Sequence, residues 1–190
     1  PLYSSAASDV YKRQPYLWAT ARDSIERALP VSRALVLEFP DDPTTWSIGD
    51  QWLVGDALLV APILDEAGRR RVYLPQGGWT DWWSGERTEG PRWISVEADL
   101  ATLPLWLRDG AAIPLGPAMD HVDQRPLDAL TLRIAPFREA GSRELRIPTT
   151  DADLVVRYAY AEGRHRVDAP PGLEVVLDVV GPEVPAIERR

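Results

Sequence analysis

The chain has 190 residues, 45% hydrophobic and 26% charged, which suits one domain or two small ones with a buried core and excludes disorder throughout. Its net charge of −8 and pI near 4.8 oppose a phosphate-binding surface, since counterion release needs clustered Lys and Arg, and nucleic acid is excluded as a partner. Cysteine is absent, which excludes disulfides, thiol nucleophiles and thiolate metal sites.

Residues 1–14 lack the basic start and apolar middle of a secretory signal. They also hold Lys12, the sole lysine of the chain, and this composition break predicts a non-native or disordered terminus. From Pro15, the apolar residues Trp18, Ala21, Ile25, Ala28 and Leu29 recur at three- and four-residue steps, which predicts an amphipathic helix. Pro15 suits its first turn, Asp23 and Arg27 are spaced for an ion pair, and Pro30 stops it. The continuously apolar run 34–37 predicts a parallel strand buried on both faces, and helix plus strand imply an α/β unit. Asp41, Asp42 and Pro43 then form a loop, and Trp46 to Val54 reads as a short helix capped by Ser47 and ended by Gly55.

From Leu58 the pattern changes. The runs 58–63, 71–74, 103–107 and 111–115 are short and separated by Gly, Pro and Asp, as in a β-sandwich. Beyond Met119 the segments 130–134, 144–147, 154–158 and 173–179 alternate apolar with polar residues and predict a second, smaller antiparallel sheet. No apolar run approaches the roughly 20 residues of a membrane-spanning helix, and membrane insertion is not expected.

The densest acidic group is Glu38, Asp41, Asp42, Asp50 and Asp56. Two carboxylates flanking the scissile bond are what glycoside hydrolysis requires. Asp-Asp-Pro and Gly-Asp are also common loop formers, because Asp satisfies nearby backbone donors, and the spacing favours turn and capping roles over catalysis. Trp79, Trp82 and Trp83 invite sugar stacking, but alternation along a hairpin sends them to opposite faces, and at least one must seal a core. Packing is therefore favoured over a sugar platform. The triplet Arg69, Arg70 and Arg71 reads as a solvated strand entry. His121 and His165 lack ligand spacing, and no phosphate loop, dinucleotide fingerprint or serine elbow is present.

One ordered set of motifs goes further than spacing can. It runs from Pro15-Tyr16-Leu17-Trp18 through Arg33-Ala34-Leu35-Val36-Leu37-Glu38-Phe39-Pro40-Asp41-Asp42-Pro43 and Gly49-Asp50-Gln51-Trp52-Leu53-Val54-Gly55-Asp56-Ala57-Leu58-Leu59-Val60-Ala61-Pro62. It continues through Arg71-Val72-Tyr73-Leu74-Pro75, Gly78-Trp79-Thr80-Asp81-Trp82-Trp83, Leu105-Trp106-Leu107-Arg108-Asp109-Gly110 and Val122-Asp123-Gln124-Arg125-Pro126. Together these resemble glycoside hydrolase family 31, the α-glucosidases and α-xylosidases, over most of residues 15–135. Ser32 and Trp52 depart from the pattern at supporting positions.

The resemblance implies a mainly β fold: C-terminal β-sandwich domains preceded by the last helix and strand of a truncated (β/α)8 TIM barrel. The implied divisions are 1–14 as the terminus, 15–57 as the end of the barrel, 58–118 as a proximal β-sandwich and 119–190 as a small distal β-domain. It also implies retaining hydrolysis of α-linked glycosides by two aspartates upstream of residue 15. On that reading no residue here is catalytic, cofactor-binding or metal-binding, no cofactor is needed, and the α-linked oligosaccharide meets the missing barrel. The competing reading is a non-catalytic carbohydrate-binding β-sandwich with the Trp79–Trp83 hairpin as its platform. The helix from Pro15 and the following strand argue against it, since a self-contained module needs no α/β unit.

Overall fold

A computed structural model of the chain describes residues 11–99, 101–121, 124–150, 152–181 and, by backbone alone, 187–189. Residues 1–10, and the Val122-Asp123 start of one family-like motif, lie outside the described residues. The expected helix is present as α1, Gln14–Arg27, with Pro15 in its first turn and Ala28 closing it at φ 54° in the left-handed region. Asp23 and Arg27 pair at 3.5 Å. Its buried side is not the apolar stripe, however. Pro15, Tyr16 and Thr20 are buried, while Leu17 and Trp18 are each 42% exposed and Ile25 is 83% exposed. The helix rests on the distal sheets by the Tyr16 and Thr20 side, and its most apolar side is left to solvent.

After α1 comes β1, Ser32–Ala34, and then a single helical turn, α2, Leu35–Glu38. The run 34–37 is therefore not the buried parallel strand expected. β1 sits at a sheet edge and, among the described residues, pairs with β2, Trp52–Val54, alone and antiparallel. With no parallel neighbour to take up the hydrogen bonds of residues 35–38, the chain closes them locally, with the Phe39 N–H donating to the Leu35 carbonyl at 2.9 Å. Residues 46–54 are likewise not one helix. Pro43–Ser47 is a 3-10 helix capped by Asp42 rather than Ser47, and Gln51 to Gly55 alternate in burial with a period of two, the mark of a strand.

β1 and β2 join β3, Leu58–Val60, β4, Arg69–Asp81, β5, Arg87–Glu97, and β6, Leu105–Arg108. They form one antiparallel six-stranded sheet in the order β1-β2-β3-β6-β4-β5. Its core gathers Leu35, Leu53, Leu59, Val72, Leu74, Trp79 and Trp106.

The remaining strands are β7, Ala112–Leu115, β8, Ala129–Ile134, β9, Gly141–Ile147, β10, Leu154–Ala161, β11, Arg164–Asp168, β12, Glu174–Val179, and β13, Ile187–Arg189. They make two sheets, β12-β8-β7 and β13-β11-β10-β9. The expected single antiparallel sheet is thus a sandwich with parallel pairs at β12/β8 and β11/β13. Leu130, Leu132 and Ile134 of one sheet face Leu145, Ile147, Val156 and Tyr158 of the other. β7 is buried at every residue because it serves two cores. Ala112 belongs to the sandwich, whereas Ile113 and Leu115 pack with Tyr16, Ala57 and Leu107 where α1 and the six-stranded sheet meet it.

Candidate functional site

The acidic group lies on the segment from α2 to the turn after β2, and four of its five members are tied to protein partners. Arg33 on β1 is fully buried, and its guanidinium reaches Glu38 at 2.6 Å and Asp23 at 2.6 Å. Such a guanidinium is costly unless paired, and removal of one partner from a buried pair costs about 3–5 kcal/mol. Glu38 therefore balances charge inside the fold.

Asp42 accepts the Thr44 N–H at 3.0 Å as the cap of the 3-10 helix and the Tyr73 hydroxyl at 2.5 Å. The Tyr73 hydrogen bond holds its carboxyl below the usual carboxylate range. Asp50 pairs with Arg70 at 2.9 Å, and Asp56 with Arg143 of β9 at 2.5 Å. Asp41 is exposed on the same loop, beside Pro40, whose carbonyl accepts the indole N–H of Trp46 at 2.9 Å. Trp46 itself is 64% exposed. The loop is thus tied down by internal hydrogen bonds and shows solvent the Asp41 side chain, the ion-paired Asp50 carboxylate and one pinned indole.

The arginine triplet is not simply solvated. Arg69 pairs with Glu97 at 3.0 Å, and Arg71 lies over Trp93 at 4.9 Å. The Arg70 side chain is 8% exposed and donates to the carbonyls of Asp50 at 2.8 Å and Pro62 at 2.7 Å. Alternation along β4, which turns Arg70 to the face opposite Arg69 and Arg71, was the one signal for this, and the run of three arginines masked it.

The three tryptophans divide, but not by the alternation expected, which would put Trp79 and Trp83 on one face: β4 ends at Asp81, and Trp82 and Trp83 lie in the turn beyond it. Trp79 is fully buried with its indole N–H on the Pro75 carbonyl at 2.8 Å, and Trp82 lies under Arg133 at 4.3 Å. Trp83 is 56% exposed and pinned through its indole N–H to the Leu103 carbonyl at 2.8 Å. His165 is fully buried, with Nδ1 3.0 Å from the Tyr158 hydroxyl. Among the described residues no group of three or more His, Cys, Asp or Glu is arranged to hold a metal ion.

Comparison with known proteins follows the same segment. Residues 28–113 match the glycosyl hydrolase family 31 C-terminal domain. The chain is 42% identical over 107 residues to alpha-glucosidase 2 of Bacillus thermoamyloliquefaciens, covering 56% of this chain and 14% of that protein. It is 30% identical to an alpha-xylosidase of Emericella nidulans, covering 94% of this chain and 24% of that protein. Among solved structures it is similar to a Flavobacterium johnsoniae GH31 dextranase complexed with glucose, at a TM-score of 0.74 and 31% identity, over 82% of this chain and 21% of that one. The chain therefore spans a quarter or less of the length of these relatives.

Proposed function

We propose that this chain, which carries the C-terminal domain of glycosyl hydrolase family 31, is part of a retaining α-glycosidase that acts on α-glucosides or α-xylosides, with both catalytic aspartates on a barrel outside residues 15–190. The observation that carries this reading is the match of residues 28–113 to the family's C-terminal domain, supported by the commitment of Glu38, Asp42, Asp50 and Asp56, four of the five members of the acidic group, to internal partners. Retaining hydrolysis needs two carboxyl groups about 5–5.5 Å apart on either side of the scissile bond. We place that pair on the barrel, 15–57 at the barrel's end, and the proximal and distal β-domains at 58–118 and 119–190.

The exposed apolar side of α1 supports the reading, since Leu17, Trp18 and Ile25 together make the kind of surface that a neighbouring element covers. The loop after α2 is then a barrel-end scaffold, on the side where such barrels keep their sites. Proton NMR of the first sugar released from an aryl α-glucoside by the complete enzyme tests the mechanism. The α-anomer is expected first; an initial β-anomer contradicts retention.

A further inference from the structure

Strand β4 belongs to the β-domain, yet two of its residues, Tyr73 and Arg70, grip the loop 42–51. Tyr73 donates its hydroxyl to Asp42 at 2.5 Å. Its backbone exchanges two hydrogen bonds with the Gln51 side chain: the Gln51 amide donates to the Tyr73 carbonyl at 2.7 Å, and the Tyr73 N–H donates to Gln51 Oε1 at 2.9 Å. Gln51 is 1% exposed, so an amide side chain replaces a strand neighbour in a place where water cannot. Arg70 supplies the third hold: Nη1 donates to the Asp50 and Pro62 carbonyls at 2.8 and 2.7 Å, and Nη2 stands 2.9 Å from the Asp50 carboxylate as an ion pair without a hydrogen bond.

These contacts are more than a loop needs to stay folded. Thr45 Oγ already bonds the Phe39 and Asp42 carbonyls at 3.0 and 2.8 Å, and Asp42 already caps Thr44. The β4 contacts add something else: they fix the loop's position relative to the six-stranded sheet. The residues the loop shows outward include Asp41, Trp46, Ser47 and Asp50. A pinned indole beside carboxylates suits the apolar C–H face and the hydroxyl edge of a pyranose.

We propose that Tyr73 and Arg70 are positioning residues for glycoside binding, acting through the loop 41–50 that they hold against the β-domain. This rests on the proposed reading of that loop as the barrel-end scaffold. A contact made with substrate and transition state alike alters KM and leaves kcat. The β-domain therefore tunes affinity for the sugar, and the barrel performs the bond cleavage.

The test uses the complete enzyme with an aryl α-glucoside and an aryl α-xyloside. Tyr73→Phe removes one hydroxyl and is expected to raise KM about tenfold, the effect of losing a hydrogen bond to a charged group, with kcat within about twofold of wild type. Asp42→Asn combined with Tyr73→Phe should cost no more than Tyr73→Phe alone, because the asparagine keeps the Thr44 cap and alters only the contact that the phenylalanine already removes. Arg70→Met should raise KM at least as much, and Arg70→Lys should restore part of it, since an ammonium cannot reach all three acceptors. If these variants melt lower but keep the wild-type KM, the residues are structural and the proposal is overturned. An equal fall in kcat and kcat/KM overturns it as well. If the wild-type enzyme hydrolyses neither substrate, the proposed function fails first, and the two failures are told apart.

Discussion

His165 shows how a single buried side chain sets a pH limit. It is fully buried between Tyr158 and Tyr160, with ring centroids at 5.9 and 5.1 Å, and burial lowers its pKa. The folded protein then keeps the ring neutral while the unfolded chain takes up a proton below about pH 6.5, so stability is complete above that pH and falls as the pH drops beneath it. Urea unfolding should lose at most about 1.4 kcal/mol per pH unit in this window, and His165→Phe should flatten the slope. An unchanged slope in the variant would place the sensitive group elsewhere. The sequence marked His165 as a non-ligand by spacing alone. It gave no sign of the burial, because β11 pairs across to Tyr160 through a register that only the folded sheet defines.

Among the elements, the β4/β5 hairpin is where local sequence and tertiary constraint meet. Gly90 faces the Leu74–Gly77 irregularity of β4, and a Cβ there would stand 1.9 Å from the Pro75 carbonyl oxygen. Gly90→Ala should therefore destabilise the six-stranded sheet by about 1–3 kcal/mol through overpacking, read by thermal or urea melting. A variant as stable as wild type would mean the bulge can shift without penalty. β4 was legible from Arg71 to Leu74, and a hairpin was legible at Trp79–Trp83, but the sequence did not join the two into one strand or show the length of β5, whose Gly and Pro resemble loop punctuation. α1 was legible for another reason: Pro15 and Pro30 bracket it. The face it buries was not, since Tyr16 and Thr20 gain their burial from β7 and β9 rather than from the apolar period. The strand expected over 34–37 depended on parallel neighbours, and no local signal distinguishes a missing neighbour from a present one.

For the whole molecule, the family-matched segment and the acidic loop coincide, and the apolar side of α1 stands open beside them. The isolated chain should bind a dye for exposed hydrophobic surface and self-associate, and co-expression with an upstream barrel segment should relieve both. A monodisperse, dye-silent chain would argue that α1 has no further partner. The central claim, that the carboxylates of this chain hold structure and leave catalysis to the barrel, is tested most directly by Asp41→Asn and Asp42→Asn in the complete enzyme, assayed on an aryl α-glucoside with and without azide. Asp41→Asn and Asp42→Asn are each expected to lose no more than about tenfold in kcat/KM, the first by weakening one sugar contact and the second through the altered Tyr73 contact, with no rescue by azide in either. A loss of several orders of magnitude at either position, with the fold intact and activity restored by azide, would put a catalytic carboxylate on this loop and contradict the account.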